Sequence, residues 1–252
     1  MYSLCDGIFV CIRSAFSLIL PFSGRGSVDR SCIVYSIRTS YADFINYCYL
    51  VEDLQSKMAF IVDPSWEIEK IVRKLEELQV QLRAILLTHS HFDHINLVEP
   101  LTDLYNPKVY ISQREIDDYQ YRCRNVRGLH DLDEIHFGNV RIKCLLTPGH
   151  TSGGMCYQVA DYLFSGDTLF SEGCGSCFCS GGSADQMFES IQKIRMVVPS
   201  DTRVFPGHSY GIAPGQTMRT LLNQNIYFHL TRREDFVRFR MRDNQSSLLH
   251  FK

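Results

Sequence analysis

"RAILLTHSHFDH", residues 83–94, places His89, His91, Asp93 and His94 within six positions. The run Ala84–Leu87 that leads into them is wholly apolar and reads as a buried strand. Four ligand-type side chains crowded at the end of a strand cost desolvation and mutual repulsion. A divalent cation turns that cost into binding energy, because imidazole and carboxylate are good ligands for zinc. His89 and His91 are two residues apart and can face one side of an extended turn. Asp93 and His94 are offset and suit a neighbouring ion.

Three further segments carry the same chemistry: "TPGHT" with His150, "FSGDT" with Asp167 and "FPGH" with His208. Each follows an apolar, strand-like run, so strand ends facing one crevice can gather ligands from distant positions. One set would be His89, His91 and His150, and the other Asp93, His94 and His208, with Asp167 able to bridge through its two oxygens; the spacing allows this pairing without requiring it. Two ions about 3.5–4 Å apart can share one activated water, so the spacing suggests a binuclear centre.

Outward from these segments the chain alternates strands and helices. "FINYCYLV" and "AFIVD" read as a hairpin around "EDLQSKM". Ile68, Ile71, Val72, Leu75 and Leu78 recur at helical spacing after Pro64 and Ser65. "HINLVEPLTDLY" reads as a second helix with Pro100 near its first turns or at a kink. "KVYIS", "VRIKCLLT", "MCYQVA", "YLFSG" and "TRVFPG" read as strands, and "QREIDDYQY" as a short polar helix. Ser183 with Gln186 matches a capping box that opens the helix "ADQMFESIQKIRMVV", and "GQTMRTLLNQN" closes the regular part. The expected class is α/β, with helices covering the sheets. Trp66 is expected to anchor a helix against the sheet, "YRCRNVR" to be a loop that is either solvated, the preferred reading, or lines the site entrance, and Cys144 and Cys156 to be core thiols.

The chain has 252 residues, 45% of them hydrophobic, enough for a sizeable core. A net charge of −2 gives no basic field for nucleic acid. Residues 216–252 are the exception: seven Lys and Arg stand against three acids. Residues 1–38 show no sustained period and read as an N-terminal extension or as sequence upstream of the natural start, ahead of a single domain over 39–252. Its apolar stretch Ile8–Phe22 is too short to span a bilayer and is broken by Arg13. No positive charge precedes it, so no signal peptide or membrane anchor is expected. The ten cysteines are irregularly spaced and read as reduced thiols of a cytoplasmic protein.

"THSHFDH", "TPGHT", "SGDT" and "PGH" together resemble the metallo-β-lactamase superfamily, and within it the glyoxalase II-like hydrolases. The resemblance spans about residues 44–226, and all seven ligand positions match in type and order. It implies an αββα sandwich of two mixed β-sheets with helices on the outer faces and metals at one edge. It implies two Zn²⁺ ions held by His89, His91, Asp93, His94, His150, Asp167 and His208, with iron or manganese as alternatives. It also implies hydrolysis of an acyl thioester by water activated at the ions, with Asp93 and Asp167 as the catalytic carboxylates.

The stretch "GCGSCFCSGG", residues 173–182, speaks to the leaving group. In glyoxalase II a "GCG" is followed by a basic residue and then an aromatic that help hold glutathione. Here Ser176 and Phe178 stand at those places, and Tyr210 in "PGHSYG" is the remaining substrate contact the resemblance implies. Without the cation a glutathione carboxylate loses its partner. A nearer likeness, carried by "FINYCYLVED", "FIVDPSW" and "NIYFHLTRREDFVRFRM", is to zinc-dependent hydrolases of bacterial trans-acyltransferase polyketide biosynthesis, including those of bacillaene-type pathways. It implies release of acyl groups from the phosphopantetheine arm of an acyl carrier protein. The basic tail is then either a docking face for that acidic partner or simply a solvated helix face. Hydroxyacylglutathione hydrolase, a mononuclear iron persulfide dioxygenase, a β-lactamase or lactonase, and a non-catalytic binding module on the same scaffold are the competing readings.

Overall fold

The structure is a computed structural model and describes residues 31–243 and residue 245. The apolar stretch 8–22, His250 and Lys252 lie outside the described residues. Two six-stranded sheets face each other. The first runs in the order β1 (Cys32–Tyr41), β2 (Phe44–Asp53), β3 (Met58–Val62), β4 (Gln81–Leu86), β5 (Lys108–Ser112) and β6 (Val126–Leu129). Its first three strands are antiparallel, and β3 to β6 are parallel. The second is built from β7 (Glu134–Phe137), β8 (Val140–Leu146), β9 (Met155–Val159), β10 (Tyr162–Gly166), β11 (Arg203–Pro206) and the short β12 (Gln216–Thr217), again in sequence order. All of its pairs are antiparallel except β10 with β11.

Strand alternation divides the apolar residues among three cores. Tyr49, Val51, Phe60, Val62 and Leu86 of the first sheet pack between the sheets on Ile142, Cys144, Tyr157 and Phe164 of the second. Their neighbours Cys48, Leu50, Ala59, Ile61 and Ile85 point outward and bury Ile71 and Leu75 of α1 (Ile68–Leu78) and Val98 and Leu101 of α3 (Val98–Tyr105). On the opposite side Leu145, Cys156, Leu163 and Val204 cover α5 (Ala184–Val197), α6 (Met218–Gln224) and α7 (Arg233–Arg240). The result is the αββα sandwich, in which strands buried on both faces must be apolar throughout.

Local chemistry sets the helix ends. Ser183 Oγ accepts from the Gln186 backbone N–H and caps α5, but Ser183's own N–H donates to Gly149 O, so only half of the expected capping box forms. "HINLVEPLTDLY" is two helices, α2 (Phe92–Ile95) and α3, with Pro100 in the first turn of α3, where its missing N–H costs nothing. The expected boundary at residue 38 also moves. β1 begins at Cys32 and pairs with β2 along its whole length, from Cys32 opposite Asp53 to Tyr41 opposite Phe44. As an edge strand with half of its side chains exposed, it carries no continuous apolar run to betray it.

Candidate metal centre

The strands β8, β10 and β11 run in one direction, so the loops after them open at one edge, beside the loop after β4. His150, Asp167, His208 and the "THSHFDH" stretch meet there. His89 Nε2 lies 3.1 Å from His91 Nδ1, and His150 Nε2 lies 2.9 Å from the same atom. The rotation of these rings follows from their outer nitrogens. Thr88 Oγ1 donates to Asp63 Oδ2 at 2.6 Å, so it accepts from His89 Nδ1 at 3.0 Å. His150 Nδ1 donates to the Ser176 carbonyl at 2.6 Å. Both Nε2 atoms are therefore bare lone pairs aimed at a common point.

A second cluster adjoins the first. Asp93 Oδ2 lies 3.4 Å from His94 Nε2 and 3.2 Å from His208 Nε2. His94 Nδ1 donates to Asp63 Oδ2 at 3.1 Å and His208 Nδ1 to the Ile45 carbonyl at 2.7 Å, which again turns the two Nε2 lone pairs inward. Asp167 lies between the clusters: Oδ1 is 3.5 Å from His94 Nε2, and Oδ2 is 3.6 Å from both His150 Nε2 and His208 Nε2. All seven sequence-derived ligand candidates thus converge, and the ligand atoms of each of three overlapping triads lie within 4.8 Å of one another.

The donor set fits divalent metal. His94 Nε2 and Asp167 Oδ1 are buried without a hydrogen-bond partner, although buried polar atoms are nearly always paired. Converging imidazole lone pairs cannot satisfy one another, whereas a cation satisfies them all. The electrostatics divide the site. Burial, reinforced by the neighbouring rings, pushes His89 well below the ordinary histidine range, and burial lowers His150 to about 4, so these ligands stay neutral. Burial also depresses His94, but Asp93, Asp167 and Asp63 outweigh it and raise it to about 10. For Asp93, burial is outweighed by His94, His208 and Asn46, which hold it well below the usual carboxylate range.

Two glycines permit this crowding. A Cβ on Gly207 would stand 2.6 Å from both Asp167 Oδ1 and His94 Cε1. One on Gly175 would overlap the Asp167 carbonyl oxygen and stand 3.1 Å from His150 Cγ. The "GCGSCFCSGG" loop therefore packs against the ligands, and its contribution to them is the Ser176 carbonyl rather than any thiol. Cys174 and Cys177 are buried, and burial raises both thiols, Cys177 to about 11, although Arg240 from α7 lies beside them. No disulfide forms among the described cysteines. Phe178 stands exposed at the loop surface, and Tyr210 packs on Phe170 with ring centroids 5.3 Å apart.

Several functional residues escaped sequence reasoning. Glu115, on α4 (Gln113–Asp118), is fully buried. It accepts from Ser90 N at 2.9 Å, Ser90 Oγ at 2.5 Å and Thr151 Oγ1 at 2.6 Å, and so pins the loops carrying His89, His91 and His150. Asn46 Nδ2 donates to Asp93 O and Oδ2 at 2.9 and 3.0 Å, and its Oδ1 accepts from Trp66 Nε1 at 2.7 Å. Trp66 does not anchor a helix against the sheet as expected. It sits at the rim of the site with φ +63°, stacked on Tyr41 at 5.1 Å and edge-on to Phe92 at 5.5 Å. An apolar residue in Asn46's place would have suited the strand better, which is the one signal that could have found it.

The basic tail is less open than its composition suggests. Arg233 pairs with Asp185 and Glu189 of α5, Arg238 with Asp235, and Arg232 with Glu234 and Asp235, while Arg240 is buried.

Comparison with known proteins agrees with this geometry. The profile of the metallo-beta-lactamase superfamily matches residues 41–208. A probable polyketide biosynthesis zinc-dependent hydrolase, PksB, of Bacillus subtilis (strain 168) is 52% identical over 219 residues, covering 87% of this chain and 97% of that protein. A hydroxyacylglutathione hydrolase of Psychromonas ingrahamii is 36% identical over 168 residues, 66% of this chain and 62% of that one. Among solved structures, ETHE1 from Myxococcus xanthus superposes with a TM-score of 0.76 at 26% identity, covering 86% of this chain and 94% of that chain. Among the described residues no helix is long and apolar enough to cross a membrane.

Proposed function

The chain belongs to the metallo-β-lactamase superfamily, and from that membership we propose that it is a zinc-dependent hydrolase that releases acyl groups from phosphopantetheine thioesters, borne on acyl carrier protein, during polyketide assembly. The observation that carries the reading is the pair of facing triads with Asp167 between them. His89, His91 and His150 would hold one ion and Asp93, His94 and His208 the other, with Asp167 placed between the two sets. Bound zinc supplies a water of near-neutral pKa and polarises the acyl carbonyl.

The chain's own groups do the rest. Thr88, Asp63, Ser176 and Ile45 fix four of the five histidine rings, those of His89, His94, His150 and His208, through their outer nitrogens, which sets tautomer and basicity. Asp93 and Asp167 are the carboxylates among the ligand candidates and Asp63 stands behind His94; two zinc ions held there would carry more positive charge than these three acids offset and would favour an oxyanion on the carbonyl. No serine or cysteine nucleophile is required, and the raised thiols of Cys174 and Cys177 are unsuited to the task. Ser176, Phe178 and Tyr210 frame the substrate side. Ser176 offers no cation for glutathione, in keeping with the lower identity to the glutathione hydrolase. The described cysteines form no disulfide, in accord with a cytoplasmic location.

The test is one acyl group presented on carrier protein, on pantetheine and on glutathione. The expected ranking of kcat/KM is carrier protein first and glutathione last. Preferred turnover of the glutathione thioester would replace this reading with the hydroxyacylglutathione one.

A further inference from the structure

The segment "YRCRNVR", read from sequence as a solvated loop or a lining of the site entrance, borders the metal centre. A cavity of about 520 Å³ is walled by Ser90, His91, Tyr119, Gln120, Arg122 and Ser180, so a metal-ligand candidate and an arginine share one wall. The volume lies within the range of small-molecule sites. The loop is built to hold that arginine. Arg122 Nη1 donates to the carbonyls of Ile116 and Tyr121 at 2.8 and 2.7 Å, and Nη2 to Gln120 Oε1 at 3.3 Å. Gln120 adopts φ +53°, a conformation that is costly for a residue with a side chain, and its Nε2 is tied to Asp117 O at 2.6 Å. Among the described residues no carboxylate lies within ion-pair distance of Arg122, whereas Arg124, two positions on, is paired with Asp103 and Glu99. A guanidinium fixed by neutral acceptors, with N–H groups to spare, is preorganised for an anion.

The side of α2 that meets Trp66 is aromatic. Phe92 and Asn96 of that helix and its cap meet Trp66, and Tyr41, Phe44 and Phe92 expose aromatic surface there. Ile95 instead lines the cavity. A thioester has two unlike arms, an acyl chain and a thiol arm. Amides and a phosphate need hydrogen-bonding walls and a cation, which the aromatic flank lacks and the cavity has.

We propose that the cavity between His91 and Arg122 receives the thiol arm of the substrate, an amide-bearing pantetheine chain, and that Arg122 binds its terminal phosphate. The assignment rests on the thioester-hydrolase reading and says which flank takes which arm. The test compares one acyl group on pantetheine, on 4′-phosphopantetheine and on N-acetylcysteamine, using wild type, Arg122→Glu and Arg122→Lys. A lost charge-assisted contact corresponds to about a tenfold change. Wild type should show a KM about tenfold lower for the phosphorylated arm. Arg122→Glu should abolish that preference while keeping the wild-type metal content, raising KM at least tenfold more for the phosphorylated arm than for pantetheine, and Arg122→Lys should retain most of the preference. Equal changes on phosphorylated and unphosphorylated arms would overturn the assignment. So would a shift in acyl-chain preference on N-acetylcysteamine, which would give the cavity to the acyl chain. If wild type hydrolyses none of the three thioesters, the proposed function itself falls, and the two failures remain distinct.

Discussion

Replacing Glu115 by alanine should strip the His89, His91 and His150 cluster of its support without touching a ligand. The carboxylate is fully buried, takes three hydrogen bonds, and has no lysine or arginine partner among the described residues. Alanine leaves Thr151 Oγ1 orphaned in the interior and Ser90 N and Oγ without their acceptor at the half-buried wall of the cavity beside His91. Each buried orphan costs about 1–3 kcal/mol, but the two hydroxyls can rotate toward other acceptors while the amide cannot. With the void left by the side chain added, we expect a loss of about 3–5 kcal/mol. At roughly 2–4 °C per kcal/mol for a domain of this size, Tm should fall by about 10 °C. Ser90 lies between His89 and His91, so affinity for one of the two ions should also fall, by about 10–100-fold as for lost outer-shell partners. Glu115→Gln keeps the volume and one acceptor and should show about half the stability loss. Thermal melts with chelator-competition titrations read both quantities. A Glu115→Ala protein with unchanged Tm and two unweakened metal sites would refute the role given to this residue.

Asn46→Ala should weaken the other ion and lower kcat by at least tenfold, because Asp93 loses two donors, while Trp66→Phe should lower it less; the order of the two effects is read from steady-state kinetics. Gly175→Ala should abolish activity with the chain still folded by circular dichroism, since a Cβ there displaces Asp167 and His150; near-normal turnover would contradict the packing. The metal-free protein should be most stable near pH 6.5, the ordinary histidine value. His94 is raised to about 10, so its contribution is complete below about 6.5 and is lost as pH climbs toward 10. His150 is lowered to about 4, so it destabilises the fold progressively as pH falls from about 6.5 toward 4. A Tm that rises monotonically from pH 5 to pH 9 without metal would contradict this balance.

The strands that deliver ligands were legible because they are buried on both faces. "RAILLT", "YLFSG" and "TRVFPG" are near-continuous apolar runs that end abruptly in ligand-type residues. β1, β6 and β7 were not, since these short or edge strands alternate buried with exposed or half-exposed side chains and so lose the apolar run. The seven ligand candidates could be listed from spacing because a metal imposes residue types. The groups that aim them could not. Glu115 meets Ser90 and Thr151 from 25 and 36 positions away, and the Ser176 carbonyl belongs to the backbone, which carries no sequence signal. The tail misled in the opposite sense: its net positive charge is real in composition, but the fold spends it on acids of α5 and α7 and on the buried Arg240.

The binuclear centre is tested most directly by measuring metal content and acyl-thioester hydrolysis together in the wild type and in Asp167→Ala. The expected result is two zinc ions per chain with hydrolysis in the wild type, and loss of hydrolysis with loss of at least one ion in the variant. Full turnover by Asp167→Ala, or hydrolysis by wild type stripped of metal, would contradict the account.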